Sequence, residues 1–304
     1  MAEEVTDGYG HDVGARITGI LTPPEEFSED IFAICMDIIS CLDSGMSVAF
    51  AYDYEILFVR IYDGERYIFP LPFMLTDSAD LCRACLDLSL YARREMIPLI
   101  ISDIPREELP VLQELFPHID ANCYGEDEDS FIVKVNSECD MLEEMPTYEM
   151  GDIRLDRILP ADIEQYAALC RNRDLNRYWG YDADVDNPSG DEQYYLDVAE
   201  REFFDGVAVT LAIRYRGKFV GEAVIYDFDY LGGAQIAVRV LPEFHGLGVG
   251  KSSVKSLIEL SRSIGLKKVY AEILEENVAS IKMTSSVMGD GIRDKGKVKF
   301  AFSL

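Results

Sequence analysis

The pattern of apolar and polar positions divides the chain into two α/β halves. In the second half, strands and helices alternate around one glycine-rich loop. The pattern predicts a strand and a helix in IRLDRILPADIEQYAALC (153–170), strands in KFVGEAVIYDF (218–228), QIAVRV (235–240) and KKVYAEIL (267–274), and a helix that begins near Gly250. Glycines at 246, 248 and 250 connect the third of these strands to that helix.

The first half has its own order of elements and no glycine-rich loop. The predicted elements are a helix at Ser28–Leu42, strands in SVAFAYDYE and ILFVRIYDGERYIFPLP around an Asp63–Gly64 turn, a helix at Asp77–Arg94, a strand in PLIISDI, a helix at Arg106–Phe116 and a strand in DSFIVKV. A proline and charged residues in 143–151 favour a boundary there, so the predicted domains are 1–147 and 148–304.

The glycine-rich loop is typical of a phosphate-binding site. Glycines let backbone N–H groups approach a pyrophosphate, and the N-terminus of the following helix adds unpaired amides and a positive dipole end. A nucleotide triphosphatase P-loop is one alternative, but His245 stands where that pattern requires its first glycine. The next predicted strand, KKVYAEIL, also ends without the aspartate that holds magnesium.

A second alternative accounts for more of the residues. A strand, V-x-P at Val240–Pro242, and then [Q/R]-x-x-G-x-[G/A] resemble motif A of the GNAT N-acetyltransferase superfamily, with His245 at the Gln or Arg position. Residues 153–170 resemble the first strand and helix of that family. NRYWGYD (176–182) resembles the following loop in its ribosomal-protein-acetyltransferase-like branch, and KKVYAEILEENVASIKM resembles its strand 5 and Asn-x-x-Ser helix opening.

This resemblance implies a GNAT fold, a mainly antiparallel mixed sheet flanked by helices, and acetyl-CoA as the acyl donor. By match to motif A, backbone groups on the strand would contact pantetheine, the loop would hold the pyrophosphate, and the Asn-x-x-Ser element would complete the cleft. The residues concerned are Val238, Arg239 and Val240 for pantetheine, His245, Gly246, Leu247, Gly248, Val249, Gly250 and Lys251 for the pyrophosphate, and Asn277 and Ser280 for the cleft.

Acyl transfer to an amine needs a base for the ammonium proton and a donor for the departing thiolate. The family often has a glutamate where this chain has Gln235 and a tyrosine near Thr284, so both positions depart from the family pattern. Glu222 is the nearest carboxylate on the preceding strand and is the predicted base. Strand alternation places Val220, Glu222, Val224 and Tyr226 on one face, which makes Tyr226 the second catalytic candidate. Trp179 and Tyr181 are predicted to line the acceptor pocket.

Composition and charge narrow the class of acceptor. The formal net charge of the 304 residues is −28, and residues 1–150 contain 8 basic and 32 acidic residues. Such a surface repels nucleic acid and favours a cationic partner, such as a small-molecule or peptide amine. The chain has no apolar run of the length that spans a bilayer, and its seven cysteines suit a reducing compartment, so it is predicted to be cytoplasmic without a membrane partner.

Several hypotheses remain open at the level of sequence. The first half resembles the leading half of tandem-GNAT proteins related to phosphatidylglycerol lysyltransferases, as a degenerate GNAT-like domain that lacks motif A. The alternatives to an amine acetyltransferase are a non-catalytic acyl-CoA-binding module and an aminoacyl-tRNA-dependent transferase. Cys82-x-x-Cys85 has no second pair at ligand spacing, so no metal site is predicted, and the sequence predicts no oligomeric state.

Overall fold

The computed structural model describes two compact units, Met1–Asn136 and Ser137–Leu304. The described residues are 3–5, 47–52, 55–62, 65–70, 89, 99–124, 130–179 and 183–304. The units divide earlier than the predicted boundary at 147/148, because Ser137, Glu138 and Cys139 are already buried in the second unit. Among the described residues, no helix combines the length and apolar character that crossing a bilayer requires.

The C-terminal unit is built on one mixed sheet with strand order β8-β9-β10-β11-β12-β13-β15-β14. Its strands are β8 (Tyr148–Met150), β9 (Ile153–Arg157), β10 (Ala208–Tyr215), β11 (Lys218–Tyr226), β12 (Gly233–Val240), β13 (Lys268–Leu274), β14 (Ile292–Asp294) and β15 (Lys297–Ser303). All neighbouring pairs are antiparallel except β12 and β13, which are parallel. The predicted strands of this half are confirmed within one or two residues at their ends.

Helices cover both faces of this sheet. Numbered after α1 (Leu109–Leu115) of the N-terminal unit, they are α2 (Ile163–Cys170), α3 (Arg173–Asn176), α4 (Ala183–Asp186), α5 (Gln193–Phe204), α6 (Val249–Ser263) and α7 (Val278–Met288). One core packs α6 and α7 against residues such as Leu211, Ile225 and Ile236. The other packs α2 and α5 against Ala212 and Phe219.

A β-bulge in β11 changes which residues share a face. Ile213 pairs with Gly221, but Arg214 pairs with Phe219, so β11 carries one extra residue at this point. As a result, Val220 packs in the core beneath α6, whereas Phe219 packs on the opposite face with α2 and α5. The prediction that Val220 shares a face with Glu222 is therefore wrong, because the extra residue of a bulge interrupts the alternation of side chains along the strand.

The described strands of the N-terminal unit form a second mixed sheet with order β1-β2-β3-β4-β5-β7-β6. Its elements are β1 (Glu3–Val5), β2 (Ser47–Tyr52), β3 (Glu55–Tyr62), β4 (Glu65–Pro70), β5 (Leu99–Pro105), α1 (Leu109–Leu115), β6 (Ile119–Tyr124) and β7 (Ser130–Val135). Only β4 and β5 pair in parallel. Apart from β8, the two sheets have the same strand order and the same parallel pair at the same place.

The strands predicted in the N-terminal half are present, and the predicted helix at Arg106–Phe116 is observed as α1. Strands β1 and β6 were not predicted. The helix predicted at Ser28–Leu42 and the Asp63–Gly64 turn lie outside the described residues, as does the predicted helix at Asp77–Arg94 except for Ser89, which is helical.

Candidate active site

Strands β12 and β13 begin as a pair and then separate. Their pairing covers only Gly233–Gln235 on β12 and Lys268–Tyr270 on β13, although both strands continue for several residues. Beyond Gln235, β12 pairs on its other side with β11 as far as Val240. A gap therefore opens in the middle of the sheet, and its wide end lies where β12 leads into the glycine-rich loop.

The backbone of β12 offers hydrogen-bonding groups to this gap. Leu241 N–H donates to Val220 C=O at 2.8 Å, and a Cβ added at Gly221 would overlap the carbonyl oxygen of Arg239, so both of these groups face β11. Because backbone groups alternate in direction along a strand, those of Val238 and Val240 face the gap. The geometry thus suits Val238 and Val240 for the predicted pantetheine contacts better than it suits the backbone of Arg239.

The loop after β12 ends at the N-terminus of the fifteen-residue helix α6. Gly248 is the N-cap residue and has a φ of +81°, a left-handed conformation that glycine adopts without strain. The first bond of the helix runs from Ser252 N–H to Gly248 C=O, so the amides of Val249, Gly250 and Lys251 have no acceptor within the helix. Such amides, together with the helix dipole, attract an anion.

Space for a bound group lies above this loop. A Cβ added at Gly246 or at Gly248 would meet no atom within 4 Å. At Gly250, by contrast, an added Cβ would lie 2.9 Å from the sulfur of Met283, so this glycine permits close packing of α6 against α7. The residues present therefore fit a pyrophosphate seated over Gly246 and Gly248.

His245 has a different local role from the glycines that follow it. Its Nε2 lies 2.8 Å from the carbonyl oxygen of Val240 and donates to it, and its backbone N–H donates to Pro242 C=O at 3.0 Å. These bonds tie the loop to the end of β12. His245 and Lys251 are both exposed, one before the glycines and one in the first turn of α6.

The Asn-x-x-Ser element forms the expected helix start on the other side of the gap. Asn277 is the N-cap of α7, and its side-chain oxygen accepts from the backbone N–H of Ser280 at 3.2 Å. This bond satisfies one of the orphan amides of the helix and fixes Asn277 beside the end of β13. The structural part of this prediction is confirmed, while the contact with the cofactor stays a prediction.

The predicted base, Glu222, is buried and ion-paired. It lies opposite Arg239 on the neighbouring strand, and its Oε1 is 2.5 Å from the Arg239 Nη2. Glu222 is 2% exposed and Arg239 is 5% exposed. A base must reach the proton of the incoming amine, and this carboxylate faces a guanidinium instead. Its role as base stays a prediction.

Three residues that sequence analysis did not assign to the site surround this ion pair. The Arg239 Nη1 donates to the Asn176 side-chain oxygen, and the Arg239 Nη2 lies 3.5 Å from the Cys170 sulfur. The pKa of Tyr166 is raised by burial and by the negative charge of Glu222. Burial and the negative charge of Glu222 raise the pKa of the Cys170 thiol to about 12, so this thiol is protonated at neutral pH. The signal that was missed is the register of the β11–β12 hairpin, which places Glu222 opposite Arg239.

Tyr226, the second catalytic candidate, lies further along the same face of the sheet. Its hydroxyl donates to the Gln235 side-chain oxygen at 3.3 Å, and the Gln235 amide donates to Asp227 at 3.2 Å. Burial raises the pKa of Tyr226, and the carboxylates of Asp227 and Glu272 raise it further. Tyr226 is therefore a protonated phenol at neutral pH, next to the point where β12 and β13 separate.

Of the two aromatic residues predicted in the acceptor pocket, only Trp179 lies among the described residues. The Arg239 guanidinium carbon lies 4.7 Å from the centre of the Trp179 ring, a cation–π arrangement. The backbone N–H of Trp179 donates to the backbone carbonyl of Asn176 at 2.9 Å. Trp179 thus lies above the buried ion pair, while Tyr181 lies outside the described residues.

Comparison with known families agrees with this geometry. Residues 152–287 match the family model described as an acetyltransferase (GNAT) domain. The match spans β9 to α7 and includes the gap, the glycine-rich loop and the ion pair. No curated protein matches the chain significantly.

Solved structures give distant likenesses. Mycobacterium smegmatis RimJ in complex with CoA-disulfide has a TM-score of 0.45 and 16% identity, over 52% of this chain and 86% of that one. Spermidine N-acetyltransferase from Vibrio cholerae with CoA and spermine has a TM-score of 0.41 and 14% identity, over 50% and 95%. RimL, a ribosomal L7/L12 α-N-protein acetyltransferase, has a TM-score of 0.43 and 12% identity, over 52% and 98%.

The C-terminal unit is therefore a GNAT acetyltransferase domain, an assignment that rests on the domain match and not on these distant structures. The enzyme class is acyltransferase, and the acyl donor is acetyl-CoA. The match does not extend to the N-terminal unit.

Proposed function

We propose that the protein transfers the acetyl group of acetyl-CoA directly to a primary amine that is bound at the same time. The observation that carries this proposal is the gap between β12 and β13, which ends at the N-terminus of α6, where the first amides have no acceptor within the helix. Backbone groups of Val238 and Val240 would bind pantetheine along the gap, and the amides of Gly246–Lys251 would hold the pyrophosphate. Asn277 and Ser280 would border the cleft on the α7 side.

Proton transfer is assigned to groups on the face of the sheet that carries Tyr226. A protonated Tyr226 next to the gap suits a proton donor to the departing thiolate. The amine must lose a proton before it attacks, and water can carry that proton away where no side chain reaches it. Glu222 can take this role only if the pair with Arg239 opens.

The acceptor is proposed to be a cationic amine. Asp227 is exposed near the gap, next to Tyr226. A carboxylate at this position favours the approach of an ammonium group. The non-catalytic module remains a second candidate, since Gln235 stands where the family often has glutamate and Thr284, near the usual tyrosine position, is buried.

We further propose that the N-terminal unit is a GNAT-like domain that has lost its cofactor loop. Its sheet repeats the strand order of the C-terminal sheet, including the parallel pair β4–β5, which is joined at Ile68 and Ile101. No glycine occurs between Gly64 and Gly125, so a phosphate loop cannot follow β4 as it follows β12. This unit would shape acceptor binding and not bind acetyl-CoA.

The test is the replacement Gly248→Ala, measured by calorimetry with acetyl-CoA. The added Cβ projects into the open space over the loop, so affinity should fall by about tenfold or more while the fold is kept. Gly217→Ala is the matched control, because Gly217 has a φ of +79°, has no atom within 4 Å of an added Cβ, and lies in the β10–β11 turn. Equal affinity in the two variants would show that the loop does not hold the pyrophosphate.

A further inference from the structure

Burying the ion pair of Glu222 and Arg239 in a hydrophobic core lowers the free energy of unfolding unless other contacts offset it. Removing two charges from water costs several kcal/mol per ion, and apolar residues of similar volume often hold two strands together as well or better. The pair also leaves a donor without a partner, since the Arg239 Nε has no acceptor among the described residues. Strand pairing alone therefore does not explain the presence of this pair.

The contacts of Arg239 indicate what the pair does. The guanidinium contacts the end of α2 through Cys170, the end of α3 through Asn176, and the ring of Trp179. These residues lie within ten positions of one another in the chain, in a segment whose helix α3 has only four residues. A helix this short has little stability of its own, so contacts from outside must hold the segment in place.

The planar guanidinium is well suited to this task. It can present one edge to Asn176, another to Glu222, and a flat face to the Trp179 ring at the same time. Glu222 fixes the guanidinium from β11, directly across the strand pair. The position of Trp179 is thereby set from the rigid centre of the sheet, beside the gap where the acyl group would react.

We propose that Glu222 and Arg239 are positioning residues that fix Asn176 and Trp179 as a wall of the acceptor pocket. In this role Glu222 does not take the proton of the amine. The pair would affect recognition of the acceptor while leaving the loop that holds acetyl-CoA unchanged. Because the role presupposes the proposed amine acetyltransfer, one measurement must report on Trp179 without any substrate.

The chain itself provides that measurement, because Trp179 is its single tryptophan. Arg239→Lys keeps the charge but loses the planar stacking face. It should shift the emission of Trp179 to longer wavelength and increase quenching by acrylamide. With substrates, it should raise the KM for the amine by about tenfold, leave kcat within about threefold, and leave acetyl-CoA affinity unchanged.

Arg214→Lys is the matched control. Arg214 is also largely buried and is paired with two carboxylates, Asp156 and Asp162, each at 2.7 Å. It lies on β10 and contacts the segment before α2, so its replacement should lower stability without changing Trp179 emission or the KM for the amine. If Arg239→Lys does not fold, Asn176→Ala removes one contact of the guanidinium and should act in the same direction.

Glu222→Gln separates positioning from proton transfer. If Glu222 is a positioning residue, the variant should keep the acidic limb of the pH–rate profile and should share the KM effect. A loss of turnover by about 100-fold together with a flattened acidic limb would instead make Glu222 the base and overturn the proposal. Unchanged Trp179 emission and quenching in Arg239→Lys would overturn it as well. A wild-type protein that is inert towards every amine contradicts the proposed function, and the fluorescence comparison still decides the positioning role.

Discussion

The buried carboxyl group of Glu138 should make the stability of the C-terminal unit depend on pH. Glu138 is 1% exposed and lies beneath the β11–β12 turn, where a Cβ added at Gly232 would be 3.2 Å from its Oε1. Its pKa is raised from 4.5 to about 7, chiefly by burial and to a smaller extent by Asp229 and Asp140, against the lowering effects of a backbone hydrogen bond and of Lys267. Between pH 4.5 and about pH 7, the folded protein therefore keeps a proton on Glu138 that the unfolded chain releases.

The direction of the effect follows from linkage. For a group whose pKa is raised on folding, the stabilising contribution is complete below pH 4.5 and is lost as the pH rises to about 7. A pKa change from 4.5 to about 7 corresponds to about 3 kcal/mol in the free energy of unfolding. Glu138→Gln, which is neutral at every pH, should match the wild type near pH 4.5 and be more stable by up to about 3 kcal/mol at pH 8.

Denaturant titrations at several pH values, followed by the emission of Trp179, measure this difference. Because the single tryptophan lies in the C-terminal unit, the signal reports on that unit alone, which matters in a chain of two units. Glu144→Gln is the matched control, since Glu144 is exposed and the chemical change is the same. A difference between Glu138→Gln and wild type that stays constant from pH 5 to pH 8 would refute the reasoning.

Two further predictions concern the strand pair and the nucleotide. Gly221→Ala should destabilise the C-terminal unit by about 3 kcal/mol, because its Cβ would overlap the Arg239 carbonyl. Gly217→Ala in the neighbouring turn should destabilise it by only about 1 kcal/mol, so denaturation curves that coincide for the two variants would contradict this prediction. Acetyl-CoA at about 100 times its Kd should stabilise the protein by about 2.7 kcal/mol in a thermal shift assay, and Mg-ATP should not; a shift with Mg-ATP alone would favour the P-loop hypothesis.

Local signals explain why the glycine-rich loop and the helix starts of the candidate site could be predicted from sequence. The glycines at 246 and 248 and the start of α6 lie within a few residues of one another, and glycine at positive φ is a property of the residue itself. Asn277 as an N-cap is likewise set by the residues that follow it. These features depend little on the rest of the fold, so a short stretch of sequence is enough to indicate them.

Long-range packing explains what the sequence did not reveal. The bulge at Val220 depends on the close approach of Gly221 to the backbone of β12, which no pattern within β11 shows. Strand β6 has the alternation of a strand, but Asp120 and Asn122 have low strand propensity, and its pairing with β7 decides its structure. The ion pair could have been found from the hairpin register, because opposite charges on facing positions are a known cross-strand arrangement.

If the proposed function is correct, backbone groups bind the acyl donor and side chains bind the acceptor. In the proposed function, acetyl-CoA would contact mostly backbone groups of β12 and α6, which depend on the glycines of the loop more than on the other side chains. The proposed amine would contact side chains that β11, β12 and the α2–α3 segment bring together, where the contacts of Arg239 with Asn176 and Trp179 hold the short α3 segment in place. Substitutions in the loop should thus weaken binding of the donor, and substitutions in the pair should weaken binding of the acceptor alone. A variant of the Glu222–Arg239 pair that lost acetyl-CoA affinity while Trp179 kept its emission would show that the two parts are not independent.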